Sequence, residues 1–74
     1  MIFSLQPVPR AKNLDRIGFN AGYLFVIFRG QPAHYLFGPA IPRENFDKLL
    51  RSPYPDKLFS QIIRGKYQCK RFEP

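Results

Sequence analysis

Tyr23-Leu24-Phe25-Val26-Ile27-Phe28 is an unbroken run of six apolar residues in a chain of 74. Successive side chains of a strand point to opposite faces of its sheet, so the run offers apolar groups to both sides at once. A domain this short buries a modest share of its surface. Its helices are expected to cover one face, leaving the second as a candidate docking surface.

Turn residues bracket the run, with Asn20-Ala21-Gly22 before it and Arg29-Gly30-Gln31-Pro32 after it. Upstream, Arg16-Ile17-Gly18-Phe19 alternates polar or small with apolar residues, the pattern of a half-buried strand. Downstream, Ala33-His34-Tyr35-Leu36-Phe37 reads as a third strand. Connections this short join antiparallel neighbours, because parallel ones need a long crossover.

Beyond Gly38 the period changes. Pro42 suits the first turn of a helix, Glu44 favours its dipole, and Phe46, Leu49 and Leu50 form one apolar stripe. Ser52-Pro53-Tyr54-Pro55 ends that helix. Asp56 reads as the N-cap of a second, which carries Leu58, Phe59, Ile62 and Ile63 and stops at Gly65. The expected class is α+β: a three-stranded antiparallel meander with two short C-terminal helices packed on one face. Pro7 and Pro9 make residues 1–12 an extended N-terminal arm. Residues 68–74 read as a basic C-terminal tail.

Composition narrows the function. The single cysteine, Cys69, has no internal disulfide partner, and one cysteine with one histidine does not make a four-ligand zinc site. No cofactor is implied. The N-terminus lacks the pattern of a signal peptide, and no apolar run approaches the roughly 20 residues of a membrane span. A soluble, cytoplasmic protein without membrane contact, monomeric when free, is expected. Twelve Lys and Arg against five Asp and Glu give a net charge of +7, which favours polyanionic partners. The excess is densest in the last fourteen residues, where Arg64, Lys66, Lys70 and Arg71 oppose Glu73 alone.

The order Asn13-Leu14-Asp15-Arg16-Ile17-Gly18-Phe19-Asn20, Leu24 to Phe28, Tyr35-Leu36-Phe37, Ile41-Pro42 with Phe46 and Leu50, then Phe59 and Ile63-Arg64-Gly65-Lys66-Tyr67 resembles the KTSC domain. That family is named for the C-terminus of some lysyl-tRNA synthetases and also occurs as small free-standing bacterial and phage proteins. The resemblance spans about residues 13–67. The family's central Tyr-x-Tyr stands here as Tyr35-Leu36-Phe37, which lacks the second hydroxyl. It implies a binding module without known catalysis, suggested to touch RNA. In size, basic character and stand-alone format the chain also resembles a small RNA-polymerase-binding regulator of a lytic phage of plant-pathogenic bacteria, which inhibits initiation and promotes antitermination.

Parity sorts the strand residues. Leu24, Val26 and Phe28, with Ile17, Phe19, Tyr35 and Phe37, are expected under the helices. Tyr23, Phe25 and Ile27, with Arg16, Gly18, His34 and Leu36, fall on the opposite face. Aromatics mixed with cations suit base stacking or an apolar partner. The alternative is that Ile2, Phe3, Leu5 and Val8 of the arm fold across and cover this face.

The partner-binding candidates are therefore Arg16, Tyr23, Phe25, Ile27, His34 and Leu36. Histidine changes charge near neutral pH, but an ordinary strand role is the expected one for His34. The nucleic-acid candidates are Arg64, Lys66, Tyr67, Lys70, Arg71 and Phe72, a mixture suited to phosphate contact with stacking. Their plain alternative is a solvated tail pinned by its aromatics. Cys69 beside Lys70 has a cationic neighbour of the kind that lowers a thiol pKa, yet no resolving partner. No nucleophile-base-orienter spacing or phosphate-cradling glycine loop occurs, and a chain this small is expected to lack a deep pocket; a non-enzyme is expected. The leading expectation is docking on bacterial RNA polymerase or another nucleoprotein complex to modulate transcription. An RNA-binding module is the alternative, with RNA or DNA backbone contact. A phage inhibitor of a host defence complex is a further one, although the acidic, DNA-mimicking charge common in such proteins is reversed here.

Overall fold

Hydrogen bonding extends the meander on both sides. In the computed structural model, which describes residues 2–73, β1 (Gln6–Pro7), β2 (Leu14–Asn20), β3 (Tyr23–Phe28), β4 (His34–Phe37) and β5 (Cys69–Phe72) form one sheet in the order β1-β2-β3-β4-β5. Every neighbouring pair is antiparallel. The expected three strands are thus the centre of five. The helices α1 (Arg43–Arg51) and α2 (Pro55–Ile62) lie between β4 and β5 in the chain rather than after the last strand.

The two additional strands sit at the edges. Gln6 opposes Ile17 and Pro7 opposes Arg16, a position where a missing amide proton is tolerated. At the other edge, His34, Tyr35, Leu36 and Phe37 oppose Phe72, Arg71, Lys70 and Cys69, and the Gly38 amide donates to the Gln68 carbonyl at 3.0 Å.

The β2–β3 turn explains its sequence. Asn20 opposes Tyr23, leaving Ala21 and Gly22 as a two-residue loop with φ of 51° and 84°. Positive φ at both positions is what a type I′ hairpin turn needs, and that turn matches strand twist. Ala21 carries that conformation at a steric cost that Gly22 does not.

Parity holds across the sheet. Ile17, Leu24 and Val26 are fully buried with Leu14, Leu49 and Ile63, while Phe19, Phe28 and Tyr35 pack against that core. Phe46 and Leu49 bring α1 onto it, Phe59 brings α2, and the Phe59 ring meets the edges of Phe28 and Phe37 at 5.8 and 5.3 Å. Burying a large apolar side chain contributes about 1.5–3 kcal/mol, so this single layer under two short helices carries the fold.

Asp56 departs from its expected role. Tyr54 precedes α2, Pro55 begins it, and no side chain caps it. The Asp56 carboxylate instead accepts the backbone amides of Lys12 at 2.6 Å, Asn13 at 3.2 and 3.3 Å, and Leu14 at 3.1 Å. It fastens the start of β2 to α2.

Candidate partner interface

The second face of the sheet is built by alternation. Arg16 and Gly18 of β2 stand beside Ile27 and Phe25 of β3, which stand beside His34 and Leu36 of β4. The pairings Leu36↔Lys70 and His34↔Phe72 then place Lys70 and Phe72 on the same face. Two candidate groups that looked separate in sequence meet here.

The arm occupies part of this surface. Phe3 stacks on Phe25 with centroids 5.3 Å apart, and Asn20 donates to the Ile2 carbonyl at 2.8 Å. Gly18 permits the approach: a Cβ there would lie 3.0 Å from Phe3 Cβ and 3.1 Å from Leu5 Cδ2. The arm then passes the β2 edge as β1 and sends Val8 and Ala11 into the core on the helix side. Of the two possibilities for this face, cover by the arm holds over Gly18 and Phe25. The portion toward β5 stays open, where Tyr23, Leu36, Gly38, Pro39, Gln68 and Lys70 line a shallow depression of about 300 Å³.

Tyr23, Phe25, Ile27, His34 and Leu36 are half-buried, whereas Arg16 is exposed. Phe25 meets the His34 ring edge-on at 5.4 Å, so His34 packs as a strand residue. Phe72 is 45% exposed, unusual for a large aromatic side chain in a strand.

The basic segment divides. Lys70 and Phe72 join the second face, while Arg71 lies opposite Tyr35 on the helix side and pairs with Glu73 at 2.8 Å. Arg64 and Lys66 are exposed just beyond α2, and Tyr67 packs half-buried against the core. Arg16, Arg64, Lys66 and Lys70 form no ion pair among the described residues.

Cys69 also differs from its sequence reading. Its thiol pKa is pushed up, chiefly by desolvation, with the nearby Arg64 charge pulling in the other direction. The cation that lowers it is Arg64 rather than the adjacent Lys70, and partial desolvation of the thiol outweighs it although the residue as a whole is exposed.

A concavity that sequence reasoning did not anticipate lies on the helix side. It has a volume of about 540 Å³ and is walled by Phe28, Tyr35, Phe37, Phe59 and Tyr67. The parity that put Tyr35 and Phe37 under the helices carried part of this signal; the gap between α2 and β5 did not show. Among the described residues, no cluster of His, Cys, Asp and Glu is arranged to hold a metal, and no helix is long and apolar enough to cross a membrane.

No family model and no curated protein sequence matches the chain. A solved structure does: a KTSC domain protein from Yersinia pestis superposes with a TM-score of 0.83 at 22% identity, covering 96% of this chain and 99% of that one. The fold is the KTSC fold. The five strands and two helices described above are thus those of a small α+β domain of this fold. In this KTSC fold, Tyr35 and Phe37 both lie on the core side of β4, where they help wall the helix-side groove.

Proposed function

We propose that this protein is a non-enzymatic regulatory module that docks on a bacterial nucleoprotein complex, RNA polymerase with its nucleic acid foremost, and modulates transcription by occupancy. The observation that carries the reading is the division of the basic segment by β5. Lys70 and Phe72 stand beside Leu36 and the shallow depression, while Arg64 and Lys66 lie beyond α2. One surface is largely apolar, with Arg16 and Lys70 as its cations, and suits a protein; the other is cationic and suits a phosphate backbone. A partner with both chemistries fits better than either alone, and the net charge of +7 speeds encounter with it.

The test is capture of RNA polymerase from bacterial lysate by the tagged protein, with and without nuclease, followed by run-off transcription. Capture that survives nuclease, and falls when Lys70 and Phe72 are replaced by Ala, is expected. No capture and no change in transcripts would overturn the reading.

Binding of structured RNA alone is the second reading, favoured by the exposed aromatic Phe72 next to Lys70 on one strand face. In that case capture disappears with nuclease. Affinity for purified RNA then falls steeply with salt, and it drops when Arg64, Lys66, Lys70 and Arg71 are replaced by Ala.

A further inference from the structure

The helix-side groove meets the docking surfaces above only at Arg64, and its walls are chemically sorted. Its volume of about 540 Å³ lies within the range of about 300–1,000 Å³ typical of small-molecule sites. Five aromatic side chains wall it. Phe37 and Phe59 are nearly fully buried and form its floor, whereas Phe28, Tyr35 and Tyr67 are half-buried and keep surface toward the opening. Rings arranged this way accept a planar aromatic group.

The polar groups separate along α2. At its start the groove is lined by Asn13, Gln31 and Asp56; at its end, by Arg64 and Gly65. Eight residues of helical rise put these ends about 12 Å apart. The amide side chains of Asn13 and Gln31 make no hydrogen bond among the described residues, so both donors and acceptors are available. Asp56 is already engaged by three backbone amides, and Arg29 by Asp15 at 3.8 Å and by the Leu14 carbonyl at 3.4 Å.

Charge fixes the polarity of an occupant. At the first end Asp56 disfavours an anion, and the cation there, Arg29, is held by Asp15 and the Leu14 carbonyl. Arg64 has no ion pair among the described residues, and Lys66 follows two residues later. Together these cations offset the unfavourable carbonyl end of the short helix.

We infer that the groove binds a nucleoside monophosphate. Its base lies against the aromatic walls with its edge at Asn13 and Gln31, and its phosphate lies at Arg64. Amides read the donors and acceptors of a base edge, and a guanidinium binds phosphate in a fork. The site shares Arg64 with the cationic surface above but neither Lys70 nor Phe72, so monophosphate binding in the groove and polymerase capture through Lys70 and Phe72 are read independently.

The experiment is a titration of the isotopically labelled full chain, followed by amide NMR shifts, with AMP, GMP, CMP and UMP, and in parallel with adenosine and with inorganic phosphate. Saturable shifts at Tyr35, Phe59, Arg64 and Tyr67 are expected for at least one monophosphate. Loss of one charge-assisted phosphate contact is expected to weaken binding about tenfold, both for adenosine relative to AMP and for Arg64→Ala. The circular dichroism of that variant should match the parent, because Arg64 is exposed. Absence of groove shifts with all four monophosphates would overturn the inference. So would equal shifts with inorganic phosphate alone, or undiminished binding by a folded Arg64→Ala variant.

Discussion

Replacing Asp56 by Ala tests whether one carboxylate ties the beginning of the domain to its last helix. The side chain accepts three consecutive backbone amides, and each hydrogen bond to a charged group is worth about 1.5–3 kcal/mol when it is well shielded. Shielding is uneven here. The Lys12 and Asn13 contacts are exposed, so water takes over their amides in the variant, and about 0.5 kcal/mol each is a fair allowance. The Leu14 contact is partly buried beside a side chain only 1% exposed, so its loss belongs at about 1.5–2 kcal/mol. The expected total is about 2.5–3 kcal/mol, against about 4–11 kcal/mol for the whole stability of a chain this long. Urea unfolding followed by circular dichroism should show a midpoint lower by about 2.5–3 M, taking a small-domain slope of about 1 kcal/mol per molar. Asp56→Asn keeps one acceptor oxygen and should recover about half of the loss. A loss below about 0.5 kcal/mol for Asp56→Ala would refute the reasoning, because the amides would then be no better served by the carboxylate than by solvent.

Two further perturbations probe the arm and the thiol. Phe3→Ala removes the ring stacked on Phe25 and should cost about 1–2 kcal/mol, less than a fully buried Phe because Phe3 is half-exposed. Increased binding of a hydrophobic dye should accompany it, and unchanged stability with unchanged dye binding would show that the arm is not the cover. Cys69 should react with iodoacetamide at pH 8 more slowly than free cysteine, because desolvation raises its pKa and thins the thiolate population. Arg64→Ala removes the influence that lowers that pKa, so alkylation should slow further; faster alkylation in the variant would reverse the assigned sign.

The strands and helices that alternate or repeat in apolar character were legible in the sequence. Leu24, Val26 and Phe28 separate from Tyr23, Phe25 and Ile27 by parity alone, and Phe46, Leu49 and Phe59 announce their helices. The outer strands carry no such signal. Gln6-Pro7 is two exposed residues, one of them proline, and every residue from Cys69 to Phe72 is exposed. They are strands because β2 and β4 offer hydrogen bonds, a non-local cause. Asp56 was misread for a similar reason: its helix-capping preference is local, while its partners lie 42 to 44 residues away. The joining of Lys70 and Phe72 with His34 and Leu36 is likewise invisible until β5 has a register.

That register also determines how the sheet can grow. Because Gly38 donates to Gln68 in a hydrogen-bonded pair, alternation turns the backbone of Lys70 and Phe72 toward β4 and that of Cys69 and Arg71 outward. The β1 edge offers little to a further strand, being two residues long with one proline. The β5 edge offers amides and carbonyls to a further strand, guarded by the charge of Lys70, while Arg71 is paired with Glu73. Self-association through strand addition is thus restricted to one side of the molecule. Repulsion between like charges holds it in check there, and added salt weakens that repulsion.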